Sequence, residues 1–268
     1  MTEANRSSTP VQSVVNEWID RHPDGIPWLA ELWDLAARSR PGEAADRPPT
    51  IGSLLPAETP ATHADRVGKV FDRTVAPPAA FLYWMLMNPQ ALDVRDPVGF
   101  GAKSDDARRW RGQLFSGDAI RVAEAQAEGL KLLGQRLAQR GRNKWWAFEG
   151  FSRVDACLIT DNGVLFIDGR GQEALTSSAL WFPQRSQLWR NVEAAGELAG
   201  ERDFGVILAV NNAEEGSAVL AAAVASLEPS CPHLGAEGRA ELSRHLLGFV
   251  VWADVTSRFA HPMDPRGL

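Results

Sequence analysis

Asp155, Asp168 and Arg170 are the residues whose types and spacing promise chemistry. They lie in the stretch Ser152–Arg170, SRVDACLITDNGVLFIDGR, where two apolar, partly β-branched runs flank Asp161-Asn162-Gly163. Asn-Gly between two such runs is a strong short-range hairpin signal. The turn leaves two registers open. With Asn162-Gly163 as the two-residue loop, Asp155 lies opposite Arg170 and Cys157 opposite Asp168. With Asp161-Asn162 as the loop, Asp155 lies opposite Asp168. Both put Asp155, Asp168 and Arg170 on one face, because strand side chains alternate with period two. Opposed and diagonal side chains can meet. Two carboxylates and a cation thus converge.

Such a convergence suits a divalent metal. Mg²⁺ takes oxygen ligands and is commonly held by one or two carboxylates, waters and substrate phosphate. It can activate water and neutralise charge at a phosphodiester. The bland alternative for Asp168 and Arg170 is a plain cross-strand ion pair, worth little at a surface. Against it stands the strand Val164-Leu165-Phe166-Ile167, which ends in Asp168. A carboxylate closing so apolar a strand is costly unless something pairs with it.

The arrangement resembles the PD-(D/E)XK, or restriction-endonuclease-like, nuclease superfamily. Asp155 matches the first Asp of that motif. Asp168-Gly169-Arg170 matches the acidic-x-Lys element, with Arg in place of Lys. Val154 stands where the motif has Pro. The resemblance covers roughly the C-terminal half of the chain. It implies a Mg²⁺- or Mn²⁺-dependent nuclease acting on DNA, with Asp155 and Asp168 holding the metal. It also implies polar residues on the following helix that face the site. Gln187 and Asn191, four apart on one helical face, are the candidates. Glu149 is a candidate for the acidic residue that some members place ahead of the first Asp. Arg in place of Lys matters, because Arg does not give up a proton and so is no general base. It can still hold a phosphate. The runner-up reading is therefore a nuclease-like fold without catalysis, serving as a binding or interaction module. Lys144, one of only four lysines, is near enough in sequence to stand in for the missing Lys.

Arg185, Arg190, Asn191 and Lys144 are the candidates for contacting nucleic acid. Arg136, Arg140, Arg142 and Lys144 also cluster beside Trp145 and Trp146, and basic residues interleaved with aromatics can bind phosphates and stack bases. The plainer reading is a helix end whose cations suit the dipole. A net charge of −6 argues against a sequence-independent DNA-coating protein, which carries a basic surface.

The remaining composition bounds the class. The chain has 268 residues, 44% hydrophobic and 23% charged, ordinary for a globular protein. Two cysteines, Cys157 and Cys231, form no disulfide framework or paired metal motif. The polar N-terminus shows no signal-peptide pattern, and the longest apolar runs are too short to span a bilayer. A cytoplasmic protein without a membrane partner is expected.

Elements that position these residues follow from caps and periodicity. Helices are expected from Pro10 to about His22, Pro27 to about Ser39, from Thr62, over Pro77–Met87, over Asp105–Leu114 and from Asp118 to about Gln139. Residues 40–61, rich in Pro, Ala and Gly, form a loop. Glu124 and Glu128 on the last helix are further acids of undecided facing. After the hairpin, a helix from Pro183 or Gln184 buries Leu188, Val192, Ala195 and Ala199. Phe204–Val210 is a buried strand. Helices near 214–226 and 236–247 and a strand at Phe249–Trp252 complete the chain. A strand, crossover helix and strand predict parallel, right-handed pairing. The expected fold is α/β: a mixed central sheet flanked by helices, restriction-endonuclease-like, over residues 116–268. A helical N-terminal region covers residues 1–115.

Overall fold

The computed structural model describes residues 27–40, 65–66, 74–136, 145–159, 163–169, 175 and 180–259. The expected first helix, from Pro10 to about His22, and the loop at 40–61 apart from Arg40 lie outside them.

The hairpin forms as the turn signal requires. Strand β4 (Ala156–Ile159) pairs antiparallel with β5 (Gly163–Asp168). Helix α5 (Gln187–Ala199) then crosses over, and β6 (Asp203–Val210) returns parallel to β5. Helices α6 (Ala213–Ser230) and α7 (Ala236–Arg244) lead to β7 (Leu246–Val251), parallel to β6. These four strands make a mixed open sheet in the order β4-β5-β6-β7. A two-residue strand, β1 (Asp65–Arg66), borders β4 antiparallel. The expected α/β class and the parallel crossover are both present.

Burial explains the layers. Cys157, Val164, Phe166, Val206, Leu208 and Val210 face one side of the sheet and pack under Leu188, Val192, Ala195 and Ala199 of α5. Those four helix residues recur at the spacing of one helical stripe, as expected. On β7, the opposite face receives α1 (Pro27–Arg38), whose Leu32, Trp33 and Ala36 are buried. Asn212 caps α6 by accepting from the Glu215 N–H at 2.9 Å.

A second core lies beside the first. It joins Phe81, Leu82, Met85 and Leu86 of α2 (Ala79–Met87) with residues of α3 (Asp105–Leu114) and α4 (Ala119–Arg136) and with Trp145, Trp146, Phe148, Trp181 and Phe182. These helices match the expected spans within a few residues.

Three expectations fail. Instead of a helix from Thr62, Asp65–Arg66 and Thr74–Val75 are short strands, the latter (β2) paired with β3 (Ser152–Arg153). This segment lacks a sustained apolar helical period, and a strand edge offers its backbone partners instead. Leu246 and Leu247, expected to end a helix, open β7, because both are buried against β6. Trp252 starts a last helix, α8 (Trp252–Phe259), rather than ending a strand. No helix among the described residues is long and apolar enough to cross a membrane.

Candidate active site

Register decides which side chains meet. Ala156 pairs with Ile167 and Ile159 with Val164, which is the second of the two registers. Continued one step beyond Ala156–Ile167, that register would set Asp155, at the bend just before β4, opposite Asp168. Cys157 and Phe166 point under α5, so alternation carries Asp155 and Asp168 to that same face. Arg170 lies outside the described residues.

Asp168 ends the buried strand and is itself only 1% exposed. Burying a carboxylate demands hydrogen bonds, and α5 supplies one. Asn191 Nδ2 donates to Asp168 Oδ2 at 3.0 Å. One turn earlier, Gln187 Nε2 donates to Asn191 Oδ1 at 2.8 Å. The direction of this relay is forced, since a carboxylate only accepts. The Asn191 amide must turn its NH₂ to Asp168, and its carbonyl then accepts from Gln187. Asp155 is half-buried, and its Oδ2 accepts the Gly169 N–H at 2.9 Å. Asp155 therefore clips the chain one residue past Asp168. Asp155, Asp168, Asn191 and Gln187 form one connected set, as their sequence spacing suggested.

Glu149, Arg185 and Arg190 sit elsewhere. All three are buried. Glu149 Oε1 lies 3.2 Å from Arg185 Nε and 3.5 Å from Arg190 Nε. Arg190 also donates to the Gly150 carbonyl. Arg185 Nη1 reaches Glu193 Oε2 at 2.5 Å and the Ser230 carbonyl at 3.1 Å, and its guanidinium lies 3.9 Å over the Phe81 ring. Glu193 Oε1 meets His233 Nε2 at 2.5 Å, and Cys231 Sγ lies 3.7 Å from Glu193 Oε2. Arg185 thus occupies the centre of an oxygen- and sulfur-lined cluster, as an internal cation. The expectation that Arg185, Arg190 and Asn191 touch nucleic acid finds no support in these contacts: all three side chains are buried, the arginines on internal carboxylates and Asn191 on Asp168.

The cluster sets its own electrostatics. Burial alone would raise the Glu193 carboxyl, but the Arg185 guanidinium and the His233 contact outweigh it and hold it below the ordinary range. Burial likewise opposes the Arg185 charge, and Glu193 and Glu149 more than restore it. Burial, with Glu193 beside it, pushes the Cys231 thiol up to about 12. Such a thiol is a packed donor and no nucleophile. Sequence reasoning missed Glu193. No local sequence pattern marks it: the unbroken burial of α5 from Gln187 through Ala195, which makes an acid there need an internal cation, shows only in the fold.

The other candidates separate from the site. Glu124 is exposed, and Glu128 lies 3.5 Å from Lys131 in a helical ion pair. Trp145 and Trp146 are buried in the second core, so they present no stacking face. Lys144, Arg140 and Arg142, and the side chain of Arg136, lie outside the described residues. Among the described residues, no three His, Cys, Asp or Glu side chains gather as a group able to hold a metal ion. The oxygen donors at hand are the Asp155–Asp168 pair. Compared with known protein families, characterised proteins and solved structures, the chain matches none.

Proposed function

We propose that this chain is a metal-dependent nuclease that hydrolyses phosphodiester bonds of DNA. The observation that carries the reading is that Asp155 Oδ2 accepts the N–H of Gly169, the residue after Asp168, with Asn191 fixed on Asp168. The sheet supports the same reading. Both acids lie on an antiparallel hairpin, followed by a crossover helix bearing polar residues and a parallel strand, the order a restriction-endonuclease-like core requires.

Asp155 and Asp168 would hold Mg²⁺ or Mn²⁺: Asp155 is partly exposed, and Asp168, 1% exposed, would have to turn an oxygen outward for waters and substrate phosphate to complete the shell. A divalent ion held by the two carboxylates would supply Lewis acidity for activating water and for neutralising charge at the scissile phosphate. The chain's own residues do the rest. Asn191 holds one Asp168 oxygen and so helps fix the orientation of the carboxylate. Asp155 holds the Gly169 backbone. Arg170 supplies a fork for a phosphate but no general base, so proton removal falls to water or to a group outside the described residues.

One observation favours a second reading, a nuclease-like binding or interaction module without catalysis. Arg185 and Arg190 are consumed by internal ion pairs, which leaves fewer cations for DNA in a chain of net charge −6.

Calorimetry with Mn²⁺ and a Mg²⁺-dependent DNA cleavage assay test both. Wild type is expected to bind Mn²⁺ and to cut. Asp155→Ala and Asp168→Ala are expected to lose the heat and the cleavage together. Equal Mn²⁺ binding by all three proteins would remove the carboxylate pair as the centre.

A further inference from the structure

We propose that Glu149 is a positioning residue that sets Asn191 on Asp168. The proposal rests on the nuclease reading of Asp168 for its catalytic consequence, though not for its geometry.

Glu149 precedes the acid-bearing hairpin, six residues before Asp155. Arg190 immediately precedes Asn191 on α5. The Glu149–Arg190 pair therefore closes a ring. It runs from Glu149 through β3 to Asp155, across the Asp155–Gly169 hydrogen bond to Asp168, through Asn191 to Arg190, and back to Glu149. The Arg190 bond to the Gly150 carbonyl doubles the closing link. Arg185, just before α5, bonds the same Glu149 oxygen, so one carboxylate holds the helix at two points of its start.

The charges explain why an acid is needed. Arg185 and Arg190 bring two buried positive charges, and Glu149 and Glu193 bring two negative ones. Their side chains are at most 8% exposed. Removing one partner of a buried pair leaves the other charge uncompensated. Without Glu149 the two guanidinia repel each other at the start of α5, and the helix must shift or draw in water. Asn191 rides on that turn. A displacement of roughly 1 Å at a positioned group can cost on the order of a hundredfold in rate.

Glu149→Gln in the full-length chain is the test, with Arg190→Lys as a partner variant that keeps the buried charges balanced. Two readouts are taken on each. The first is the side-chain amide resonance of Asn191, assigned by its loss in Asn191→Ala. The second is Mg²⁺-dependent DNA cleavage, resolved into kcat and KM. Glu149→Gln is expected to shift or broaden the Asn191 amide signal and to lower kcat on the order of tenfold with little change in KM. Arg190→Lys is expected to fold and to fall between it and wild type, because it keeps the charge and loses the second contact. An unmoved Asn191 signal in either folded variant overturns the proposal. So does an unchanged kcat in Glu149→Gln while Asp168→Ala abolishes cleavage. If wild type does not cut, the nuclease reading fails by itself, and the amide signal still decides the positioning role.

Discussion

Arg170 is the residue on which the choice between catalysis and binding turns. It keeps a positive charge where the resembled motif has Lys and loses the option of proton transfer. If the chain is a nuclease, Arg170→Lys preserves or raises Mg²⁺-dependent cleavage, and Arg170→Ala lowers it by about a hundredfold, the usual scale for one electrostatic stabiliser. Steady-state cleavage rates decide; wild-type cleavage that survives both Asp168→Ala and Arg170→Ala would place the activity elsewhere. Glu193 carries a separate prediction, about pH. Its carboxyl is held below the ordinary range in the folded chain, so the stability it contributes is present above the unfolded carboxyl's pKa. That stability is lost as pH falls through the lower, folded value. Glu193→Gln leaves Arg185 short of a buried partner and costs about 3 kcal/mol at neutral pH. Its stability then varies less over the acid limb than that of wild type. Chemical denaturation between neutral and acid pH reads both effects, and parallel acid limbs for the two proteins would show that Glu193 is not the linked group.

Helix α5 is the element that organises the site, and it does so by having no solvent face at its start. One stripe packs on the sheet, Gln187 bonds Asn191 and Asn191 meets Asp168, Arg190 and Glu193 enter the charged cluster, and Glu197 accepts the Ala79 N–H at the start of α2. The apolar stripe and the Gln187–Asn191 spacing were legible in the sequence, because period and i,i+4 geometry are local. The hairpin was legible for the same reason, although the turn alone did not choose between its two registers. The charged cluster was not legible, since Glu149 and Arg185 are far apart in the chain and only the packed helices bring them together. Gly248 shows another nonlocal constraint. Its φ is +134°, and a Cβ there would lie 2.2 Å from the Ala36 carbonyl oxygen. The Phe249 N–H beside it donates to Ser39 Oγ at 2.7 Å. Gly248→Ala is therefore expected to cost about 1–3 kcal/mol in backbone strain alone, with further loss as α1 is pushed off β7. Thermal unfolding measures it, and an unchanged midpoint would mean that α1 does not pack closely there.

At the scale of the whole molecule, the expected order of elements divides the chain into a helical N-terminal region and an α/β remainder, but several contacts run across residue 116. Helix α1 covers β7, and Arg40 Nη1 bonds the carbonyls of Ser243 and Leu246, each at 2.7 Å. Strand β1 pairs with β4 at the hairpin's outer edge. Phe81 of α2 lies against both Arg185 and His233. Sequence alone hid these links because each joins residues far apart in the chain, with no local pattern to mark them. Cutting the chain at 116 would uncover the apolar face of β7 and one side of the buried ion cluster. Exposed apolar patches of this kind favour association, and a buried charge that loses its cover becomes costly. A fragment of residues 116–268 is thus expected to lack cooperative unfolding and to bind a hydrophobic dye. Adding back a fragment of residues 1–115 is expected to restore part of the transition. A fragment 116–268 that melts cooperatively at the full-length midpoint, without dye binding, would show instead that α1, β1 and α2 only decorate a domain that stands alone.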